Sequence, residues 1–101
     1  DTNRRPFTAN MGDGRRMHVA SAAPERDGWA YRVEQGGRTI ASRGVSNRAI
    51  AGLETRGALA REEWRQAWLD LATQDLASSP LPRDVADGDF AQIVTRNRRD
   101  R

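Results

Sequence analysis

The chain has 101 residues, 37% hydrophobic and 31% charged, with 17 basic and 14 acidic side chains, one His, three Trp and no Cys. That length supports one core of two packed layers and excludes a large cleft between domains; no apolar run approaches the roughly 20 residues of a membrane span, and thiolate and disulfide chemistry is excluded. The net charge of +3 suits an acidic partner, but every basic residue is Arg, a compositional habit, so distribution informs more than the total.

Residues 1–16, with Pro6, Gly12, Gly14 and little periodicity, read as a flexible basic arm. A single sheet-and-helix domain is expected over residues 17–95, with a basic tail at 96–101. Met17 to Ala23 alternates, with Met17, Val19 and Ser21 on one face, and ends in turn chemistry around Pro24, Asp27 and Gly28, so it is the first predicted strand.

Trp29 to Glu34 and Arg38 to Val45 flank Gly36-Gly37, a two-residue loop suited to a type I′ turn, which needs positive φ at both central positions. Pairing outward from that turn sets Val33 opposite Ile40, Tyr31 opposite Ser42 and Trp29 opposite Gly44 on a core face. The other face then carries Glu34 opposite Thr39, Arg32 opposite Ala41 and Ala30 opposite Arg43.

From Ser46 or Asn47, either a good N-cap, the period becomes helical: Ile50, Leu53, Gly57, Ala60, Trp64, Ala67 and Leu71 share one stripe, with Trp68 beside it. One helix running to Ala77 would span roughly 46 Å, too long for a small domain, so a break is expected near Gly57. Pro80 and Pro82 stop the helical region. Asp84 to Asp89 reads as a loop and Phe90 to Thr95 as a fourth strand. The expected fold class is α+β: a small three- to four-stranded antiparallel sheet with one long or two consecutive helices packed on one face.

Catalysis is poorly supplied. His18 is the single imidazole and reads as a solvated strand residue; Ser42 and Ser46 have no evident partner base; Glu62 and Glu63 point roughly 100° apart on a helix. Asp84, Asp87 and Asp89 lack the spacing of a calcium loop, and no glycine-rich phosphate loop is present. No catalytic residue, metal or cofactor is therefore expected.

Two features remain as candidate interaction sites. Trp64 and Trp68, at i and i+4 with Leu71 one turn on, are either core or an exposed ridge for self-association or a protein partner. The outward hairpin face offers Arg32, Thr39 and Arg43 to a DNA major groove, which admits a two-stranded ribbon, while Arg38 and Arg48 are placed for phosphate contacts. The competing reading of that face is a solvated charged surface, and Glu34 opposes DNA. Residues 1–16 and 17–48 each carry +2 and residues 49–82 carry −2, which favours the first half for nucleic acid and the helical segment for a partner.

The run from Gly28 to Leu53, GWAYRVEQGGRTIASRGVSNRAIAGL, resembles the arm-type N-terminal DNA-binding domain of phage integrases and other tyrosine recombinases: a Trp-bearing strand, a Gly-rich turn, a basic second strand, then a short motif opening a helix. Gly44, Val45, Asn47, Arg48 and Ala51 fall on that motif, with Val45 where the family has an aromatic and Ile50 where it has Glu. The resemblance implies a three-stranded sheet inserted into the major groove and backed by a helix. The longer run from Met17 to Ala60 is also similar to HicB-type antitoxins, which implies a compact partner-binding unit. The expected function is accessory DNA binding in the cytoplasm without catalysis, with a protein-interaction module as the alternative. A homodimer or protein partner is expected on Trp64, Trp68 and Leu71, and no membrane.

Overall fold

A computed structural model describes residues 3–78 and 82–100 of the chain. Strands β1 (Phe7–Gly12), β2 (Arg15–Ser21), β3 (Gly28–Gln35) and β4 (Arg38–Ser46) form one antiparallel meander in chain order. Helices α1 (Asn47–Glu54), α2 (Arg61–Ser78) and α3 (Asp87–Arg99) pack on one face of it. The α+β class stands as read from the sequence, with a third helix added. No helix among the described residues is long and apolar enough to cross a membrane.

The segment read as a flexible arm is instead built into the fold. Asp13 and Gly14 both take positive φ, 55° and 75°, and close a two-residue hairpin loop between Gly12 and Arg15. The chain ahead of β1 is also tied down: the Asn3 side chain donates to the Leu59 carbonyl at 3.0 Å, Arg4 pairs with Glu54, and the Arg5 carbonyl accepts from Trp64 Nε1 at 3.0 Å. Three anchors in the first five residues replace the expected mobility.

The second correction concerns Phe90 to Thr95, which lies in α3 and not in a strand. Phe90, Ile93 and Val94 are buried at i, i+3 and i+4, the spacing of a helix face and not of strand alternation. Asp87 and Asp89 in the first turn and Arg96, Arg98 and Arg99 in the last complement the helix dipole. The expected loop ends at Ala86, and residues 96–99 of the expected tail are helical. α2 ends at Ser78, as expected; the stop assigned to Pro80 lies outside the described residues.

The β3–β4 hairpin turns at Gly36 and Gly37, with φ of 59° and 78°, as read from the sequence. Glu34 pairs with Thr39 as expected, but a bulge at Ile40 shifts everything beyond it by one residue: Val33 faces Ala41, Arg32 faces Ser42, Tyr31 faces Arg43 and Trp29 faces Val45. Val45, 1% exposed, is thereby turned into the core, and Ser42 is turned out. Arg43 is turned in with it.

Ser46 caps α1, its Oγ accepting from the Ala49 N–H at 3.1 Å. The break near Gly57 is present, with Gly57 at φ 125° between α1 and α2. Trp64, Trp68 and Leu71 are at most 1% exposed. Edge-on rings run from Trp29 to Trp64 (5.2 Å between centroids) to Trp68 (5.6 Å), with Phe90 tilted against Trp68 at 4.9 Å. The proposed partner stripe is therefore the centre of this chain's own core: sheet and α3 together cover the side of α2 that a three-stranded sheet would leave bare.

Candidate nucleic-acid interface

With all three helices on one side, the opposite sheet face is left to solvent, and strand register arranges its side chains in three rows. Nearest the hairpin turns run Asn10, Arg16, Glu34 and Thr39; next come Thr8, His18, Arg32 and Ser42; farthest are Ala20, Ala30 and Gly44. Alternation along each strand produces this pattern, since Met17, Val19, Tyr31 and Val33 occupy the inward positions between them.

The middle of the face is hydrogen-bonded across three strands. Arg32 donates from Nη1 to Glu34 Oε2 at 2.8 Å, His18 Nε2 donates to Glu34 Oε1 at 3.0 Å, and Thr8 Oγ1 donates to His18 Nδ1 at 3.3 Å. The His18 imidazole, then the Arg32 guanidinium, hold the Glu34 carboxyl below its ordinary range. His18 is thus one link of a surface network, with 26% of its side chain exposed, and Glu34 offsets the charge of Arg32.

The turn end is more basic. Gln35 donates to the Asp13 carbonyl at 2.7 Å and holds the two hairpin tips side by side. Arg15, Gln35 and Arg38 form one cross-strand row there, and Arg16 lies in the adjacent outward row. Arg16 and Arg38 are exposed, and among the described residues neither has a carboxylate within 4.0 Å. Asp13 is the acidic residue of the tips.

Of the residues singled out from sequence, Arg32, Arg38 and Thr39 gather at this end of the sheet. Arg43 does not. It is 6% exposed, donates from Nε and Nη2 to Asp75 at 2.8 and 2.6 Å, and reaches Asp89 at 2.8 Å. Burial acts against its charge, and the hydrogen bonds to Asp75 and Asp89 more than offset this, leaving its pKa raised. Arg48 is exposed in the first turn of α1, beyond the far end of β4 from Arg38, and β4 itself spans roughly 26 Å at 3.3 Å per strand residue.

Sequence reasoning missed Arg16, Thr8 and His18 as members of this face. The readable signal was Asp13-Gly14, a strong hairpin dipeptide that would have added β1 and placed Arg16 beside Glu34. It also passed over Asp87 and Asp89 as solvated. Asp87 accepts from the Ser46 N–H and Oγ, both at 2.8 Å, and Asp89 from Arg43. Among known proteins, no family, no curated sequence and no solved structure matches the chain.

Proposed function

We propose that the protein is a small non-enzymatic DNA-binding accessory domain that sets the turn end of its uncovered sheet face against a duplex. The observation that carries this reading is the grouping of Arg16, Arg32 and Thr39 on the uncovered face at the turn end of the sheet, with Arg38 exposed at the adjacent hairpin tip in the row of opposite facing; among the described residues, Arg16 and Arg38 have no carboxylate partner. Guanidinium forks suit phosphate oxygens and guanine edges, and a two-stranded ribbon such as the β3–β4 hairpin fits a major groove. Arg16 and Arg38 would position the sheet on the backbone, with Arg32 and Thr39 nearer the bases. The test is fluorescence anisotropy with a random duplex against salt. Two phosphate contacts predict a log–log slope of about −1.8, and Arg16→Ala with Arg38→Ala should flatten it while the circular dichroism spectrum is unchanged. Absence of binding at about 50 mM salt and micromolar protein would overturn the reading.

A protein-interaction module is the second reading, and one observation favours it. The 83–86 segment lines the outer edge of β4, Arg83 N–H donating to Ser42 at 2.7 Å and Ala86 N–H to Gly44 at 2.8 Å, whereas β1 is the other edge of the sheet. An edge strand accepts another strand by main-chain pairing. Light scattering separates the readings: a dimer that fails to bind duplex supports the second.

A further inference from the structure

Where the chain leading into β1 crosses the first turn of α2, the two enclose a cavity of about 470 Å³. That is within the range of small-molecule sites. Among the described residues, three guanidiniums line it, from Arg5, Arg61 and Arg65, and no carboxylate does. Arg61 and Arg65, at i and i+4, share one side of α2, and Arg61 is exposed with no carboxylate within 4.0 Å among the described residues. The apolar part of the lining is Pro6, Phe7 and the edge of Trp64.

The walls are held in place. Trp64 Nε1 donates to the Arg5 carbonyl at 3.0 Å, which fixes the strand lead to the helix, and the Arg65 guanidinium sits over the Phe7 ring at 4.7 Å from its centroid. The cavity opens beside the first turn of α2, where Glu62 and Glu63 offset the positive helix end, so its positive potential comes from the guanidiniums. A bare inorganic anion would use the cations and leave both the aromatic wall and most of the volume unused.

We propose that this cavity binds a phosphate ester carrying a flat ring, of mononucleotide size, with Arg61 and Arg65 on the phosphate and Phe7 and Pro6 against the ring. The phosphate could come from a free nucleotide or from the 5′-phosphorylated end of a nucleic-acid strand. The inference stands apart from the sheet-face reading, because the cavity lies on the helix side of β1.

The Trp64 indole N–H is a reporter for the site, since it donates to the cavity wall. In ¹⁵N–¹H spectra of the intact chain, AMP is expected to shift that signal and to bind at least tenfold more tightly than inorganic phosphate or adenosine. Arg61→Gln, at an exposed position, should weaken AMP at least fivefold, and Arg61→Gln with Arg65→Gln at least twentyfold, with the amide signals of β2 and β3 unmoved. A 5′-phosphorylated oligonucleotide that shifts the indole where its 5′-hydroxyl counterpart does not would assign the source to a strand end. Phosphate binding as tightly as AMP would overturn the ring assignment. No indole shift with any of these probes at millimolar concentration would overturn the site.

Discussion

Arg43 and Asp75 face each other through two parallel hydrogen bonds, Nε to Oδ2 at 2.8 Å and Nη2 to Oδ1 at 2.6 Å, where the side chains are 6% and 1% exposed. Tyr31 donates its hydroxyl to the same carboxylate, and Asp89 takes a further bond from Arg43. One buried ion pair therefore ties β3, β4, α2 and α3 together. Arg43→Ala leaves the buried Asp75 carboxylate only the more distant and exposed Arg83, at 3.6 Å, and is expected to cost about 3–5 kcal/mol in urea unfolding, whereas Asp75→Asn leaves Arg43 its bond to Asp89 and should cost less. Replacing the set together, by Arg43→Met, Asp75→Leu and Tyr31→Phe, should cost far less than Arg43→Ala or stabilise. Equal losses in Arg43→Ala and the triple variant would contradict this account.

Tyr31 gives the cluster an alkaline signature. Burial, then the hydrogen bond to Asp75, pushes its pKa well above the ordinary tyrosine value. The folded state keeps the proton while the unfolded chain ionises near pH 10, so the contribution is whole below about pH 10 and is lost as pH rises above it, by up to ~1.4 kcal/mol per unit. Urea midpoints between pH 8 and 11 should fall for the native chain and stay flatter for Tyr31→Phe.

Glu34 is the counterweight on the sheet face. His18 and Arg32 hold its pKa below the ordinary carboxylate value, so its contribution is present above about pH 4.3 and fades as the pH falls through the lowered folded value. At neutral pH it is ionised and opposes an approaching phosphate. Glu34→Gln should tighten duplex binding roughly fivefold at low salt. Unchanged or weaker binding would place the DNA elsewhere.

The aromatic core makes a prediction in the opposite sense from the partner surface read off the helix stripe. Trp64→Ala and Trp68→Ala should each lose about 3–5 kcal/mol of stability. Guanidinium melts measured across protein concentrations should show a midpoint that does not depend on concentration. A concentration-dependent midpoint abolished by either substitution would restore the stripe as an interface.

Much of the fold was legible because local chemistry and tertiary packing agree. Gly36-Gly37 supplies positive φ, Ser46 supplies a cap, and Gly57 permits the break between α1 and α2. The failures arose where a run is short or where packing overrides pairing. Phe90 to Thr95 is a run too short for its length to separate strand from helix, although burial at 90, 93 and 94 marks a helix face, and packing of Phe90 on Trp68 favours the helix. The Ile40 bulge has no local signal; it is favoured by burying Val45 and by the distant carboxylates of Asp75 and Asp89, which accept Arg43. The site inherited that one-residue error, losing Arg43 to the core, while Arg16 was missed with the Asp13-Gly14 turn.

The claim that the uncovered sheet face is the binding surface is tested most directly by mapping amide chemical shifts as a short random duplex is titrated into ¹⁵N-labelled protein at low salt. Binding on that face predicts the largest changes at Arg16, Arg32 and Thr39, smaller ones at Thr8, His18, Ser42 and the hairpin-tip Arg38, and little at Arg48 or along α2. Changes centred on the helices, with the sheet-face amides unmoved, would contradict it.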